Sequence, residues 1–284
     1  MLAIVMKVSV AALIFAIGLS ATLDDVAYIW RRPALLARSL IAMYVVIPLV
    51  AVLMARTLDL PPRTEAALVV LAICAGAPLL PKKLLKLGGD PTYIFSLVVA
   101  TSLLAVATVP LGIQILSEYI PADATTTPGD VASTIVRAFL LPLAAGMLLR
   151  MINPGIADRL SDRLLQLASA SLGICAIALL VAAFPKVADV GLPSLLAFGV
   201  FTLAALLTGH WLGGPEPAGR TSLAVACATR HLGLALLVAA TAQGPNTLGM
   251  VAAYLLGSTI VSIPYIMWRR KVLGAGEGDA AAAS

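Results

Sequence analysis

The sequence predicts an all-α polytopic membrane protein of about nine transmembrane helices, two of them broken. Three observations carry that prediction. Of the 284 residues 61% are hydrophobic and only 12% charged, and the mean hydropathy is +1.02, far from the balance of a soluble domain. The apolar residues gather into stretches of about 20, the length that crosses a bilayer. Two of those stretches are interrupted, one by Gly76-Ala77-Pro78 and Pro81, the other by Arg230-His231.

In chain order the stretches lie near residues 2–22, 37–57, 64–80, 91–116, 131–150, 165–184, 192–213, 220–242 and 247–268. The first is read as a span rather than a leader peptide, because its apolar run is long and Ser20-Ala21-Thr22 is a weak cleavage match. Lys7 within it can snorkel to the nearer surface. Thr22 ahead of Asp24 and Asp25 marks a helix start, and Arg31-Arg32-Pro33 announces the second span. Pro48 interrupts that span in its second half, where neighbouring helices can satisfy the freed carbonyl. Asp59, Pro61, Pro62 and Arg63 form the turn into the third, which runs to its glycine-proline break; proline both removes a helix hydrogen bond and clashes with the preceding turn. Lys82, Lys83 and Lys86 follow at helical spacing. They read plainly as anchors of a helix end, and functionally as a cationic vestibule for an anionic solute.

The fourth span carries Thr101, Ser102 and Gln114 with Pro110. Hydroxyls in membrane helices most often bond back to their own carbonyls. Residues 117–130, with Glu118, Asp123, Asp130 and two prolines, are the internal boundary between two near-equal halves, 1–116 and 131–271. Asp158, Arg159, Asp162 and Arg163 suit a short interfacial helix of paired charges over Asn153 to Arg163. His210 beside Trp211 fits a membrane-interface belt better than a ligand. The ninth span holds Ser258, Thr259 and Pro264 and stops at Arg269-Arg270-Lys271, after which 272–284 is expected to be a disordered tail.

The charges give an orientation. If spans alternate, the connections after spans 1, 3, 5 and 7, with the C-terminus, hold Arg31, Arg32, Arg38, Lys82, Lys83, Lys86, Arg150, Arg159, Arg163, Arg220, Arg269, Arg270 and Lys271, which is 13 of the 19 basic residues. The positive-inside rule then puts the C-terminus in the cytoplasm and the N-terminus outside, and the excess of Arg over Lys suits a bacterial inner membrane. In this setting the net charge of +5 orients the chain and does not point to nucleic acid. Cys74, Cys175 and Cys227 lie inside apolar spans at no metal-ligand spacing and read as small buried hydrophobes.

Function is indicated by what sits inside the apolar spans. A charge at mid-membrane costs about 2.5–3.5 kcal/mol even on lenient scales, so Arg230 is a functional-site candidate by default. Two interrupted spans, one in each half, are the best pointer in a sequence to a secondary transporter's binding site. Every carboxylate falls in a connection, at a span end or in the tail, so no embedded acid is there to hold sodium or a proton. The candidate substrate-binding residues are Arg230, His231 and Thr229 at one break and Pro78, Pro81 and Lys82 at the other. Thr101 and Ser102 are the ligands available to an ion site built from hydroxyls and carbonyls.

The run AIGLSATLDDVAYIWRRPALLARSLIAMYVVIPLVAVLM resembles the start of the bile acid:sodium symporter family. ICAGAPLLPKKLLKLGGD sits where that family has its Cys-Pro-Gly-Gly, Ser-Asn and Gly-Asp/Asn pattern, and ATRHLGLALLVAA where it has Glu, Gln-Asn and Gly-Leu-Ala. The resemblance implies two inverted five-helix repeats forming a panel and a core domain, with the fourth and ninth helices broken and crossing near the membrane centre. Here the first repeat (1–116) lacks its first helix, the second is 131–271, and spans 3 and 8 are the crossing pair. Carried over, the family's Ser-Asn sodium ligands fall on Leu80 and Pro81, the Gln-Asn pair on Arg230 and His231, and the essential Glu on Ala226. A guanidinium then stands where a sodium charge would sit, with up to five donors for a carboxylate or sulfonate. Half-helix N-termini at both breaks are expected to add positive dipole ends. His231 is the mid-membrane group able to carry a coupling proton.

The expectation is a secondary active transporter of a small organic anion, working by alternating access, with its sodium-site residues replaced. The alternatives are a sodium-dependent symporter with non-carboxylate ligands and a non-transporting or channel-like derivative. An intramembrane enzyme is disfavoured, because no nucleophile motif surrounds Ser258 and no embedded Asp pair exists. No cofactor is expected; the coupling ion is sodium or a proton, and the partners are the organic anion and the lipid bilayer.

Overall fold

The computed structural model describes residues 2–75, 90–116, 118, 128–230 and 247–282, and every regular element among them is helical. Helix α1 (Leu2–Ser20) is apolar nearly throughout. It stops at Ala21-Thr22, and the chain turns by 89° into α2 (Leu23–Trp30). A capping box sets that turn: Thr22 Oγ1 accepts from the Asp25 N–H at 3.1 Å, and the Thr22 N–H donates to Asp25 Oδ2 at 2.9 Å. Such a cap contributes roughly 1 kcal/mol, and it is the helix start that Thr22, Asp24 and Asp25 announce.

Helices α3 (Pro33–Leu40) and α4 (Ile47–Thr57) make one continuous span through a π-helical turn at Ile41–Val46. After α5 (Pro62–Ile73) and α6 (Pro91–Ile115), the same device joins α7 (Pro128–Ile135) to α8 (Leu141–Ile152) through Val136–Leu140. Each π turn runs into a proline, Pro48 or Pro142. A proline ring crowds the carbonyl four residues back, here Tyr44 or Ala138, and the wider turn makes room for it. The chain ends with α9 (Pro154–Val190), α10 (Leu192–Leu212), α11 (Pro217–Ala228) and α12 (Thr247–Ala282).

Among the described residues five helices are long and apolar enough to cross a membrane: Pro33–Thr57, Thr92–Ile115, Pro154–Ala182, Leu192–Leu212 and Gly249–Leu273. The bent pair Val8–Ser20 with Leu23–Trp30 makes six if counted as one span. The other apolar stretches of the sequence hold α5, α11 and the α7–α8 run. One expectation is corrected. The charged segment 153–163 is no separate interfacial helix but the first turns of α9, because Asn153 caps it through Oδ1 and the Ile156 N–H and nothing after that breaks the helix. Helix α12 runs on to Ala282.

Helix α1 lies against α8 and α9, α10 against α11 and α12, α9 against α12, α4 against α5, and α6 against both α2 and α7. The α1–α8 contact depends on glycine. A Cβ on Gly18 would run into the Leu143 carbonyl oxygen, and one on Gly146 into that of Phe15. Gly209 plays this part between α10 and α11, where a Cβ would sit 2.5 Å from Ala224 Cα. Hydroxyl pairs tie further helices together: Ser9 with Ser171 at 2.7 Å, Thr64 with Ser194 at 2.7 Å, and Ser39 with Tyr93 at 2.9 Å. Large apolar side chains such as Leu49, Ile115, Ile174 and Val181 point outward, as a lipid-facing surface requires.

Candidate substrate and ion site at the helix breaks

Helices α5 and α11 have 12 residues each, about 18 Å of helix at 1.5 Å per residue, too short to cross a bilayer. Yet Ala66–Ile73 and Thr221–Ala228 are buried. Such segments can end inside an apolar bundle only where something satisfies their last carbonyls. At α11 the Tyr254 hydroxyl donates to the Ala228 carbonyl at 3.0 Å. At α5 it is Arg230, two residues beyond the end of α11, whose Nη1 reaches the Ala72 carbonyl at 3.5 Å. The two interrupted helices are thus brought together by one side chain. Both described segments present C-terminal ends, with their partial negative charge; the expected half-helix N-termini lie outside the described residues.

Arg230 is 2% exposed. Its guanidinium carbon stands 5.9 Å from the centre of the Phe201 ring, within cation–π range. Cys227, Tyr254, Cys74 and Tyr44 are its titratable neighbours. Among the described residues no carboxylate pairs with it, and its Nε and Nη2 have no hydrogen-bond partner. Two unsatisfied donors on a buried cation are costly, and an anion would relieve both.

Of the other predicted site residues, Thr229 follows α11 half-buried, in extended backbone. Thr101 is buried on α6, and its hydroxyl donates to the Leu97 and Val98 carbonyls at 2.8 and 3.1 Å, which engages it in its own helix. Its carbonyl accepts from Tyr44 at 3.2 Å, linking it to a neighbour of Arg230. Ser102 lies beside it, half-buried. His231, Pro78, Pro81 and Lys82 lie outside the described residues. Phe201, Tyr254, Tyr44 and Ala72 were missed in the sequence, where they are ordinary members of apolar spans; a lone tyrosine hydroxyl inside such a span was the one available signal. His210 bonds Tyr265 at 2.9 Å and stacks with Trp268, while Trp211 is exposed. All three cysteines are free and buried.

A hollow of about 310 Å3 opens away from Arg230, among Tyr28, Arg32, Arg38, Asp90, Tyr93 and Glu216. Asp90 there caps α6 and accepts from Tyr28 at 3.1 Å, and Arg32 lies over the Tyr28 ring. Its opposite charges come from segments distant in sequence, which no local pattern joins.

Apolar helices with lipid-facing surfaces, and two buried half-helices that stop at a shared charge, have the build of a secondary transporter. A family model described as Sodium Bile acid symporter family matches residues 8–190, and the chain belongs to that family. It is a multi-pass membrane protein of a transporter family. The chain is 24% identical over 259 residues, 88% of its length, to the probable sodium/metabolite cotransporter BASS3, chloroplastic, of Oryza sativa subsp. japonica. It is 27% identical over 140 residues, 49% of its length, to the uncharacterized sodium-dependent transporter YocS of Bacillus subtilis (strain 168). These matches span 57% and 42% of the relatives' own lengths.

Proposed function

We propose that this chain is a secondary active transporter of a small organic anion, working by alternating access around α5 and α11, with Arg230 as the anion's partner. The observation that carries the reading is the buried guanidinium, which meets the carbonyl end of α5 and keeps two N–H groups without a partner. The end of a half-helix rich in carbonyls is where transporters of this build hold a coupling cation; here a covalently attached one occupies it. The sodium-site residues are accordingly replaced, and the coupling is not the family's two sodium ions. We assign the site to Arg230, His231, Thr229, Pro78, Pro81 and Lys82. The architecture that goes with it has nine spans in two inverted repeats, 1–116 and 131–271, joined by 117–130, with the N-terminus outside and the C-terminus in the cytoplasm of a bacterial inner membrane.

A second reading, a sodium-dependent symporter with hydroxyl and carbonyl ligands such as Thr101 and Ser102, is favoured by the two relatives, described as a sodium/metabolite cotransporter and a sodium-dependent transporter. Stability of the purified protein against a panel of organic anions, in sodium and in potassium, separates the two. Anion stabilisation equal in both salts and lost in Arg230→Gln supports the first reading. Stabilisation that needs sodium and survives Arg230→Gln overturns it in favour of the second.

A further inference from the structure

The hollow between α2, α3, the start of α6 and the turn from α10 into α11 is lined by two cations, Arg32 and Arg38, and two carboxylates, Asp90 and Glu216. Among the described residues no ion pair joins any of the four. Arg32 donates to the Tyr28 hydroxyl at 2.5 Å, and that hydroxyl donates to Asp90 Oδ2 at 3.1 Å, while Asp90 Oδ1 caps α6. These bonds fix one cation and one carboxylate on the wall without exhausting either, since a guanidinium has five N–H donors and a carboxylate about four acceptor sites. The turn that carries Glu216 is held by a 2.7 Å bond from Arg220 Nε to the Gly214 carbonyl. Gly214 has a φ of +88°, and a Cβ there would stand 3.6 Å from Arg38 Nη1. Charges of both signs, kept apart around one hollow, suit a ligand that is itself a zwitterion.

Position indicates the source of that ligand. Three of the spans long enough to cross a bilayer have an end here: Pro33–Thr57, Thr92–Ile115 and Leu192–Leu212. The ends of crossing helices lie at the level of the lipid headgroups, where tryptophan is enriched, and Trp211 beside the hollow is 78% exposed. Apolar faces run from it into the membrane. Ile41, Val45 and Leu49 are exposed along the span that begins at Pro33, and Leu203 and Leu207 along α10, which packs against that span. Acyl chains attached to a headgroup in the hollow therefore have apolar surface to lie on.

We propose that the hollow binds the headgroup of a phospholipid carrying a phosphodiester and a primary ammonium, with the phosphate on Arg32 and Arg38 and the ammonium on Asp90 and Glu216. Arginine suits phosphate through its forked donors. A primary ammonium offers three N–H donors to the carboxylates; a trimethylated one offers none, and an uncharged alcohol headgroup brings no cation to them.

The test adds dioleoyl lipids that differ only in headgroup, phosphatidylethanolamine, phosphatidylcholine and phosphatidylglycerol, to the purified full chain in detergent and follows its thermal stability. Glycerophosphoethanolamine, the same headgroup without chains, is the fourth ligand. Wild type, Arg38→Gln and Glu216→Gln are compared. We expect phosphatidylethanolamine to act at a mole fraction about tenfold below the other two lipids, a difference of about 1.4 kcal/mol, and glycerophosphoethanolamine to have no effect. Glu216→Gln should bring phosphatidylethanolamine level with phosphatidylcholine, and Arg38→Gln should weaken the response to both.

Phosphatidylcholine or phosphatidylglycerol as effective as phosphatidylethanolamine in the wild type overturns the headgroup assignment. Glycerophosphoethanolamine as effective as the intact lipid overturns the lipid and makes the hollow a site for a soluble zwitterion. An ethanolamine preference unchanged in both variants overturns the hollow as its place. Both substituted side chains are exposed, so the variants are expected to fold; if one does not, the other and the wild-type ratios decide.

Discussion

Arg269 and Arg230 are both buried arginines beside α11, at 4% and 2% exposure, yet their surroundings differ. Arg269 donates from Nε to the Thr221 hydroxyl and from Nη2 to the Pro217 carbonyl, both at 2.8 Å, and so fastens the first turn of α11 to α12. Arg269→Met should therefore lower stability by about 1.5–3 kcal/mol, the range for hydrogen bonds to a charged group, and leave anion preference unchanged. Arg230→Met should behave oppositely. It removes two unsatisfied donors and a buried charge, which offsets the loss of the bond to the Ala72 carbonyl, so thermal stability without ligand should change little, while anion-dependent stabilisation and flux in proteoliposomes disappear. A large loss of stability in Arg230→Met would mean that the guanidinium is structural. Arg230 was legible in the sequence because a charge stands out within an apolar run. Arg269 was not, since it reads as one of three basic residues ending a span, and only burial separates it from Arg270 and Lys271.

At the level of elements, the glycine contact between α1 and α8 is the most exacting fit described. Gly146→Ala puts a methyl group against the Phe15 carbonyl, and overpacking of this kind costs about 1–3 kcal/mol. The expected result is a lower midpoint of thermal unfolding, with the anion response kept, because none of the groups described around Arg230 lies on α1 or α8. Helix positions were largely readable from apolar run length and from prolines at first turns. The π turns were not, because Pro48 and Pro142 announce a disturbance without saying which side of the ring absorbs it. The merging of 153–163 into α9 was hidden too: paired charges resemble an interfacial helix unless it is known that the backbone runs on. The shortness of α5 and α11 was foreseen from their breaks, but their meeting through Ala72 and Arg230 was not, for that contact spans 158 positions and no pattern in the chain encodes it.

For the whole molecule, α1 packs with α8 and α9, and α10 with α11 and α12, and on the carrier reading these would be the bodies that move. A cation built into the chain also sets the energetics. A sodium ion would travel with the solute and bring the ion gradient's free energy with it. On the carrier reading, Arg230 stays behind when the anion leaves, so net transport of a monoanion with no coupling ion moves one negative charge, and the membrane potential acts on it with about 2.3 kcal/mol per charge for each 100 mV. A negative interior then drives the solute outward. In proteoliposomes, efflux should accelerate with an inside-negative potassium diffusion potential and slow when its sign is reversed, with no response to a sodium gradient; voltage-insensitive net flux would contradict this. On the carrier reading, the charge that balances the bound anion is anchored at the end of α5 and never leaves the chain, so net movement of a monoanion without a coupling ion is felt by the membrane as a current.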